Sequence, residues 1–386
     1  MRSGSIDRFT RLAVILAILA VAAAGCSPET GATRTPTATS GPLSDAYSRV
    51  LGPQSLRFPE DDGPHEEYLT EWWYYTGNLD TADGRHFGFQ LTFFRRAAVP
   101  QEYLQDRDSA WAAGQIYLAH FALTDVAGGQ FHAAERFSRG AAGLAGAQAD
   151  PYRVWLENWS VEAGPGGGYL LKASDGGRAI ELVLKDARGR TLHGDGGYSR
   201  KGPDPGNAST YISQARLEAA GTVMVDGVRH EVSGLAWMDH EYGTSALGPE
   251  EIGWDWFSMQ LDDGSELMLF QLRRAGGGIS LYSSGTLVEP DGTTVHLGVN
   301  DFTITVDDRW TSPHSGAEYP AAWTVEVPSA GIVIEIEPYL NDQELQVSFV
   351  YWEGAVRVEG SRDGLALSGS GYVELTGYAH SMQGEF

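Results

Sequence analysis

A single cysteine, Cys26, is all the sequence contains. No intrachain disulfide can form, so packing and hydrogen bonds must hold the fold. Basic residues are scarce: 27 Lys and Arg against 51 Asp and Glu give a net charge of -24. Nucleic acid needs a positive footprint and anionic lipid attracts polybasic segments, so neither suits this surface. Beyond residue 24 there is no long hydrophobic run, which argues against a spanning helix in the body of the chain. Long helical periodicity is absent as well. There is no Gly-x-Ser-x-Gly elbow, no His-Glu-x-x-His, and no phosphate-cradling or dinucleotide-binding glycine motif; the ten histidines lack zinc spacing. The usual serine hydrolases, zinc peptidases and nucleotide-dependent enzymes are set aside.

What is present begins with an export signal. Arg2, Arg8 and Arg11 precede an apolar run from Leu12 to Ala24, too short and too near the start for a membrane span. It ends in Ala23, Ala24, Gly25 and Cys26, the small-small-Cys pattern of a bacterial lipoprotein signal over residues 1–26. Cys26 is the expected lipidation site. The protein is thus expected in the bacterial cell envelope, on the outer face of the inner membrane or in the outer membrane, anchored rather than spanning. Ser27 in place of Asp favours the outer membrane. Residues 27–55 are rich in Thr, Ser, Gly and Pro and read as a flexible tether, because they cannot bury enough apolar surface to offset their ordering entropy.

From Leu56 onward, short alternating apolar runs are punctuated by Asp-Gly and Gly-Gly turns, among them Asp83-Gly84, Asp226-Gly227 and Asp263-Gly264. Regularly spaced short strands indicate an all-β sandwich or barrel. An internal repeat sets the architecture. Trp72 to Asp80 matches Trp254 to Asp262, and both segments continue through a turn to an arginine pair, Arg95-Arg96 and Arg273-Arg274. Ile116 to Thr124 resembles Leu281 to Val288, and Gly221 to Gly227 with Val232 to Gly234 recurs as Gly354 to Gly360 with Leu367 to Gly369. Two tandem antiparallel β domains follow, residues 56–247 and 248–386.

The most chemically loaded stretch runs from Val232 to Arg274. It carries the only Asp-His-Glu run, Asp239, His240 and Glu241, beside Trp237, Tyr242, Trp254 and Trp256. Titratable groups among large aromatics are what an acid-base site in an apolar cavity requires. Extending the repeat pairs Trp237 with Tyr372, Asp239 with Glu374 and His240 with Leu375. The acid persists in both copies and the histidine does not. Glu241 reads as a solvated neighbour, and Tyr198, Arg200 and Lys201 as a loop.

The segments EWWYYTGNLD, GFQLTFFRR, IYLAHFALTD, GYSRKG, SGLAWMDHEYG, GWDWFSMQLDDG, YWEGAV and GYVELTGY, between Glu71 and Tyr378, resemble the AttH-type exported proteins related to hydroxyneurosporene synthase, the carotenoid 1,2-hydratase. The resemblance implies two lipocalin-like β-barrel domains. It also implies a cofactor-free hydro-lyase adding water to a terminal isoprenoid double bond. His240 matches the family's catalytic histidine, and Tyr242 stands where the hydratases have Trp. Asp255 lies in the neighbourhood of a further family aspartate but not at its spacing.

The chemistry stands without the family. Hydrating a trisubstituted alkene needs a positioned acid, and the resulting cation is stabilised by aromatic faces. Asp239, His240, Tyr242 and Asp255 are therefore the expected catalytic groups, with Trp237, Trp254, Trp256, Trp72 and Tyr198 around the substrate. Three readings compete: a hydratase acting on an apolar isoprenoid-like molecule, a non-catalytic carrier of a lipid or other apolar ligand, and a hydrolase of an apolar ester. The partner in each is an apolar small molecule, with membrane contact only through Cys26.

Overall fold

Alternation of apolar residues becomes antiparallel strands throughout the computed structural model, which describes residues 43–100, 109, 111–245 and 247–384. Cys26 and the signal segment lie outside the described residues, and no described helix is long and apolar enough to cross a membrane.

The first sheet contains β1 (Thr70–Asp80), β2 (His86–Ala97), β3 (Gln115–Asp125), β4 (Gln130–Arg139), β5 (Ala145–Gln148), β6 (Arg153–Leu156), β7 (Trp159–Ala163), β8 (Tyr169–Asp175), β9 (Arg178–Asp186), β10 (Thr191–Leu192), β11 (Tyr198–Arg200), β12 (Ala208–Val225) and β13 (Val228–Gly243). The second contains β14 (Glu251–Leu261), β15 (Glu266–Arg274), β16 (Ser284–Val288), β17 (Thr294–Gly298), β18 (Thr303–Thr311), β19 (Glu318–Val327), β20 (Ile332–Pro338), β21 (Glu344–Gln346), β22 (Val350–Arg362) and β23 (Leu365–Leu375). The fold is all-β: a nearly closed barrel followed by a half-barrel.

The two sheets repeat one topology. The spatial order β4-β3-β2-β1-β13-β12-β9-β8 of the first reappears as β17-β16-β15-β14-β23-β22-β20-β19 in the second. Register agrees as well: Tyr74 faces Asp239 across β1 and β13, and Trp256 faces Glu374 across β14 and β23. The duplicated β-unit read from the sequence is therefore visible strand by strand. One pairing needs correction. Gly221 lies opposite Val232, and the residue opposite Leu367 is Gly360, not Gly354. Val225 faces Val228 at the first hairpin turn and Arg362 faces Leu365 at the second, so Gly221 lies four residues before its turn and Gly354 eight, a difference that a match on residue types passes over.

Strand parity decides what each residue faces. Trp73, Tyr75, Leu79, Phe87, Phe89, Leu91 and Phe93 fill the first barrel. Phe257, Met259, Leu261, Leu267 and Leu269 fill the second. The alternate residues Tyr74, Trp237, Trp256, Phe270 and Leu272 pack between the sheets. Both faces of the central strands are covered, which is why aromatic residues run unbroken from Trp72 to Tyr75 in β1.

The segment before β1 caps the first barrel. The Ser48 carbonyl accepts a hydrogen bond from Thr244 Oγ1, and Val50 is fully buried. Trp73 Nε1 donates to the Asp62 carbonyl at 3.1 Å. The final residues of the stretch read as a tether thus pack on the barrel.

Candidate functional site

Between the two sheets lies a cavity with room for water centres over about 80 Å³, or about 750 Å³ of empty space when its open mouth is counted. Its walls come largely from matched positions of the two copies. Trp72 and Trp254, Tyr74 and Trp256, Phe94 and Leu272, Thr92 and Phe270, and Asp239 and Glu374 all line it. Lys201, Tyr211 and Glu241 complete the lining, and they have no such counterpart in it.

Each acid has a defined setting. Asp239 accepts hydrogen bonds from Tyr211 OH at 2.7 Å, from Trp237 Nε1 at 2.6 Å and from Ser213 Oγ. Burial outweighs those donors and pushes its carboxyl up to about 7. Glu374 accepts from Trp254 Nε1 at 2.6 Å; burial, with the charges of Asp239 and Glu241, pushes it up to about 7 as well. Behind the wall, Glu353 accepts from Tyr74 OH at 2.5 Å and is driven well above the ordinary range by burial and by Glu374. Glu241 pairs with Lys201 Nζ at 3.1 Å, and that ammonium lies 4.1 Å from the Phe270 ring centroid. The cavity therefore concentrates carboxyl groups that hold protons near neutral pH within aromatic walls, with one ammonium paired to the remaining acid.

The expected site residues divide by strand parity. Asp239, Trp72, Trp254 and Trp256 line the cavity. Trp237 stands behind, packed edge-on against Trp256 with centroids 6.2 Å apart. His240 and Tyr242 face the capped end of the first barrel instead. His240 Nε2 donates to Glu71 Oε1 at 2.8 Å, and burial lowers its pKa. Tyr242 stacks on His65 at 3.7 Å. Asp255 likewise turns inward in the second barrel, held by Arg273 Nε at 2.8 Å and Tyr378 OH at 3.0 Å. Tyr198 packs against the cluster of Val50, Tyr68, Ala208, Ile212 and Tyr242 beside the cap and lies outside the cavity lining.

Glu241 is only 5% exposed, against the expectation of a solvated neighbour. Its strand sits between β1 and β12, and its side chain shares the face of Asp239. Lys201 enters the cavity although its loop read as structural. Tyr211, Glu374, Phe94 and Phe270 were not singled out from sequence as site residues, and Tyr74 read as core or barrel mouth. For Glu374 a signal existed, since it is Asp239's partner in the repeat. For Tyr211 there was none.

His193 joins this network from behind, with Nε2 2.6 Å from Ser213 Oγ and Nδ1 2.8 Å from Thr286 Oγ1 of the second sheet. Burial, together with Lys201 and His296, pushes it down to about 3. A serine, a histidine and an aspartate thus meet, but in the order His193, Ser213, Asp239. A nucleophilic serine needs the histidine between it and the acid. Here the fully buried Ser213 is the middle link, which is the wrong order for acyl transfer.

The sequence profile of the AttH-like family matches residues 49–378. The chain belongs to the AttH-like family. An AttH-type protein from Nitrosomonas europaea has 34% sequence identity to this AttH-like chain, with a TM-score of 0.76 over 86% of this chain and 99% of that one. Kievitone hydratase from Nectria haematococca shares the fold at 13% identity and a TM-score of 0.64, covering 86% of this chain and 96% of its own. CghA in complex with Sch210972 shares it more distantly, at 11% identity and a TM-score of 0.51, covering 86% and 96%. No curated protein matches the sequence.

Proposed function

We propose that this AttH-like protein is a hydratase-type enzyme that adds water to a carbon–carbon double bond of an apolar, isoprenoid-like molecule held between the two sheets. The observation that carries the reading is the pair Asp239 and Glu374, two buried carboxyls pushed up to about 7 among Trp72, Trp254 and Trp256. A protonated carboxyl supplies the acid that an unactivated alkene needs. The tertiary cation formed is stabilised by ring faces, each worth about 0.5–2 kcal/mol. A water then adds to the cation, and the same carboxylate takes back the proton that water loses. Apolar walls admit the substrate tail and restrict water. The name of kievitone hydratase, which shares the fold, agrees with this chemistry.

His240 is assigned no contact with the substrate. Its place is on Glu71, across the strand, where it holds the barrel end on which Asp239 is mounted. At the level of the cell, the enzyme is anchored in the envelope through a lipid on Cys26, as its signal pattern supports.

The test compares the small molecules that co-purify with wild type, Asp239→Asn and Glu374→Gln, extracted into organic solvent and identified by mass spectrometry. The substrate so found is then incubated with each protein in ¹⁸O-water. The expected result is a product one labelled water heavier than its substrate, formed roughly 10²–10⁴-fold more slowly by either variant. An unchanged lipid in all three, with no label taken up, would make the protein a carrier. Label uptake accompanied by chain cleavage would make it a hydrolase.

A further inference from the structure

On the face of β13 turned away from the cavity, three donor atoms converge from separate parts of the chain. His65 Nδ1 comes from the capping segment, Glu71 Oε1 from β1 and His240 Nε2 from β13; all three residues are buried and the atoms lie within 4.8 Å of one another. We propose that these residues bind a divalent first-row transition metal, of which zinc is the type, and that the ion clamps the capping segment to the end of the first barrel.

The donor set of two imidazole nitrogens and one carboxylate oxygen suits such ions. The spacing suits them too. Bonds of ~2.0–2.2 Å place neighbouring ligand atoms roughly 2.9–3.4 Å apart. Glu71 Oε1 lies 3.1 Å from His65 Nδ1 and 2.8 Å from His240 Nε2. An ion replacing the two ring protons would push Glu71 Oε1 outward, because both nitrogens point at that oxygen.

Behind the ligands, His65 and Glu71 are held by further groups, whereas His240 Nδ1 has no partner among the described residues. His65 Nε2 faces Asp61 Oδ1 at 3.3 Å. If Nδ1 carries the proton and donates to Glu71, a neutral His65 turns the lone pair of Nε2 toward that carboxylate. With a metal on Nδ1, the proton sits on Nε2 and donates to Asp61, the carboxylate-histidine-metal arrangement. Glu71 Oε2 is held by Arg95 Nε at 2.8 Å, which fixes the carboxylate plane. The remaining guanidinium nitrogens point to the His65 and Tyr68 carbonyls and to Gln115, not to the site.

The second barrel provides an internal control. Its inward acid near the same strand end, Asp255, is satisfied by Arg273 and Tyr378 without any imidazole. Two histidines on Glu71 exceed what this architecture needs to bury an acid beside an arginine.

The full chain, stripped with a chelator and then dialysed against zinc, is assayed for bound metal by atomic emission and for Tm. One zinc per chain and a Tm raised by several degrees are expected. His65→Gln and His240→Gln should weaken zinc binding by roughly 10–100-fold or more, whereas His314→Gln, on an exposed pair with Asp342, should not. If either ligand variant fails to fold by circular dichroism, Asp61→Asn serves in its place, with a loss of about 10-fold. The proposal is overturned if wild type retains no stoichiometric zinc. Zinc that survives these substitutions, or that depends on His314, overturns it equally.

Discussion

Glu374 illustrates how much one buried carboxyl can report. Its pKa in the folded protein, about 7, stands above the ordinary 4.5, because burial and the neighbouring acids disfavour its charge. Below pH 4.5 the group is protonated folded or unfolded, and it costs folding nothing. Between 4.5 and 7 the unfolded chain ionises first, so the folded state loses stability, by about 3 kcal/mol in all, and the loss stays constant above 7. Glu374→Gln removes that dependence. Urea unfolding should find the variant more stable than wild type at pH 8, with the difference vanishing toward pH 4. Its hydration rate should fall over the same comparison. Gain in stability with loss of activity is the signature of a group kept for chemistry, and a variant less stable at pH 8 would refute the assignment.

Within β13, neighbouring residues have unrelated fates. Asp239 and Glu241 reach the cavity, while His240 and Tyr242 reach the cap, because successive side chains leave a strand on opposite faces. The sequence made the Asp-His-Glu run conspicuous but could not say which parity faced the cavity, since both faces of this strand are buried. The β-strands themselves were legible from alternation and turns: Gly264, in the expected turn between β14 and β15, has φ of 86°, a conformation that favours glycine. Repeated glycines inside strands have another cause. A Cβ on Gly234 would lie 2.1 Å from the Asn78 carbonyl oxygen, and one on its counterpart Gly369 would lie 2.4 Å from that of Gln260. Gly234→Ala and Gly369→Ala should each destabilise the protein by about 1–3 kcal/mol, read as a lower urea midpoint with unchanged slope.

At the scale of the molecule, the two halves pack through equivalent faces. Asn78 Nδ2 donates to the Gly371 carbonyl at 2.9 Å, and its counterpart Gln260 Nε2 donates to Ala236, the counterpart of Gly371, at 2.9 Å. That reciprocity resembles an isologous dimer contact within one chain. It explains why the cavity walls come in matched pairs, and why Lys201, Tyr211 and Glu241 give it a direction. At Gly88 the sheets approach closely, and an added Cβ would lie 2.4 Å from the Ala355 Cβ. Gly88→Val should wedge the sheets apart and weaken ligand retention, measured as the amount of extracted lipid per mole of protein. At the other end of the chain, Cys26→Ser should move the protein from the membrane to the soluble fraction, with loss of the acyl mass. The sequence by itself determined the strands, the duplication, the concentration of aromatics and the acidic charge balance. These are local or additive properties, carried by residue order alone. Only the tertiary structure decided that Glu374 joins Asp239, that Lys201 enters the cavity, and that His65 and Glu71 meet His240. Those contacts join residues far apart in the chain, and their existence depends on strand register and on which face of each strand a neighbouring sheet covers.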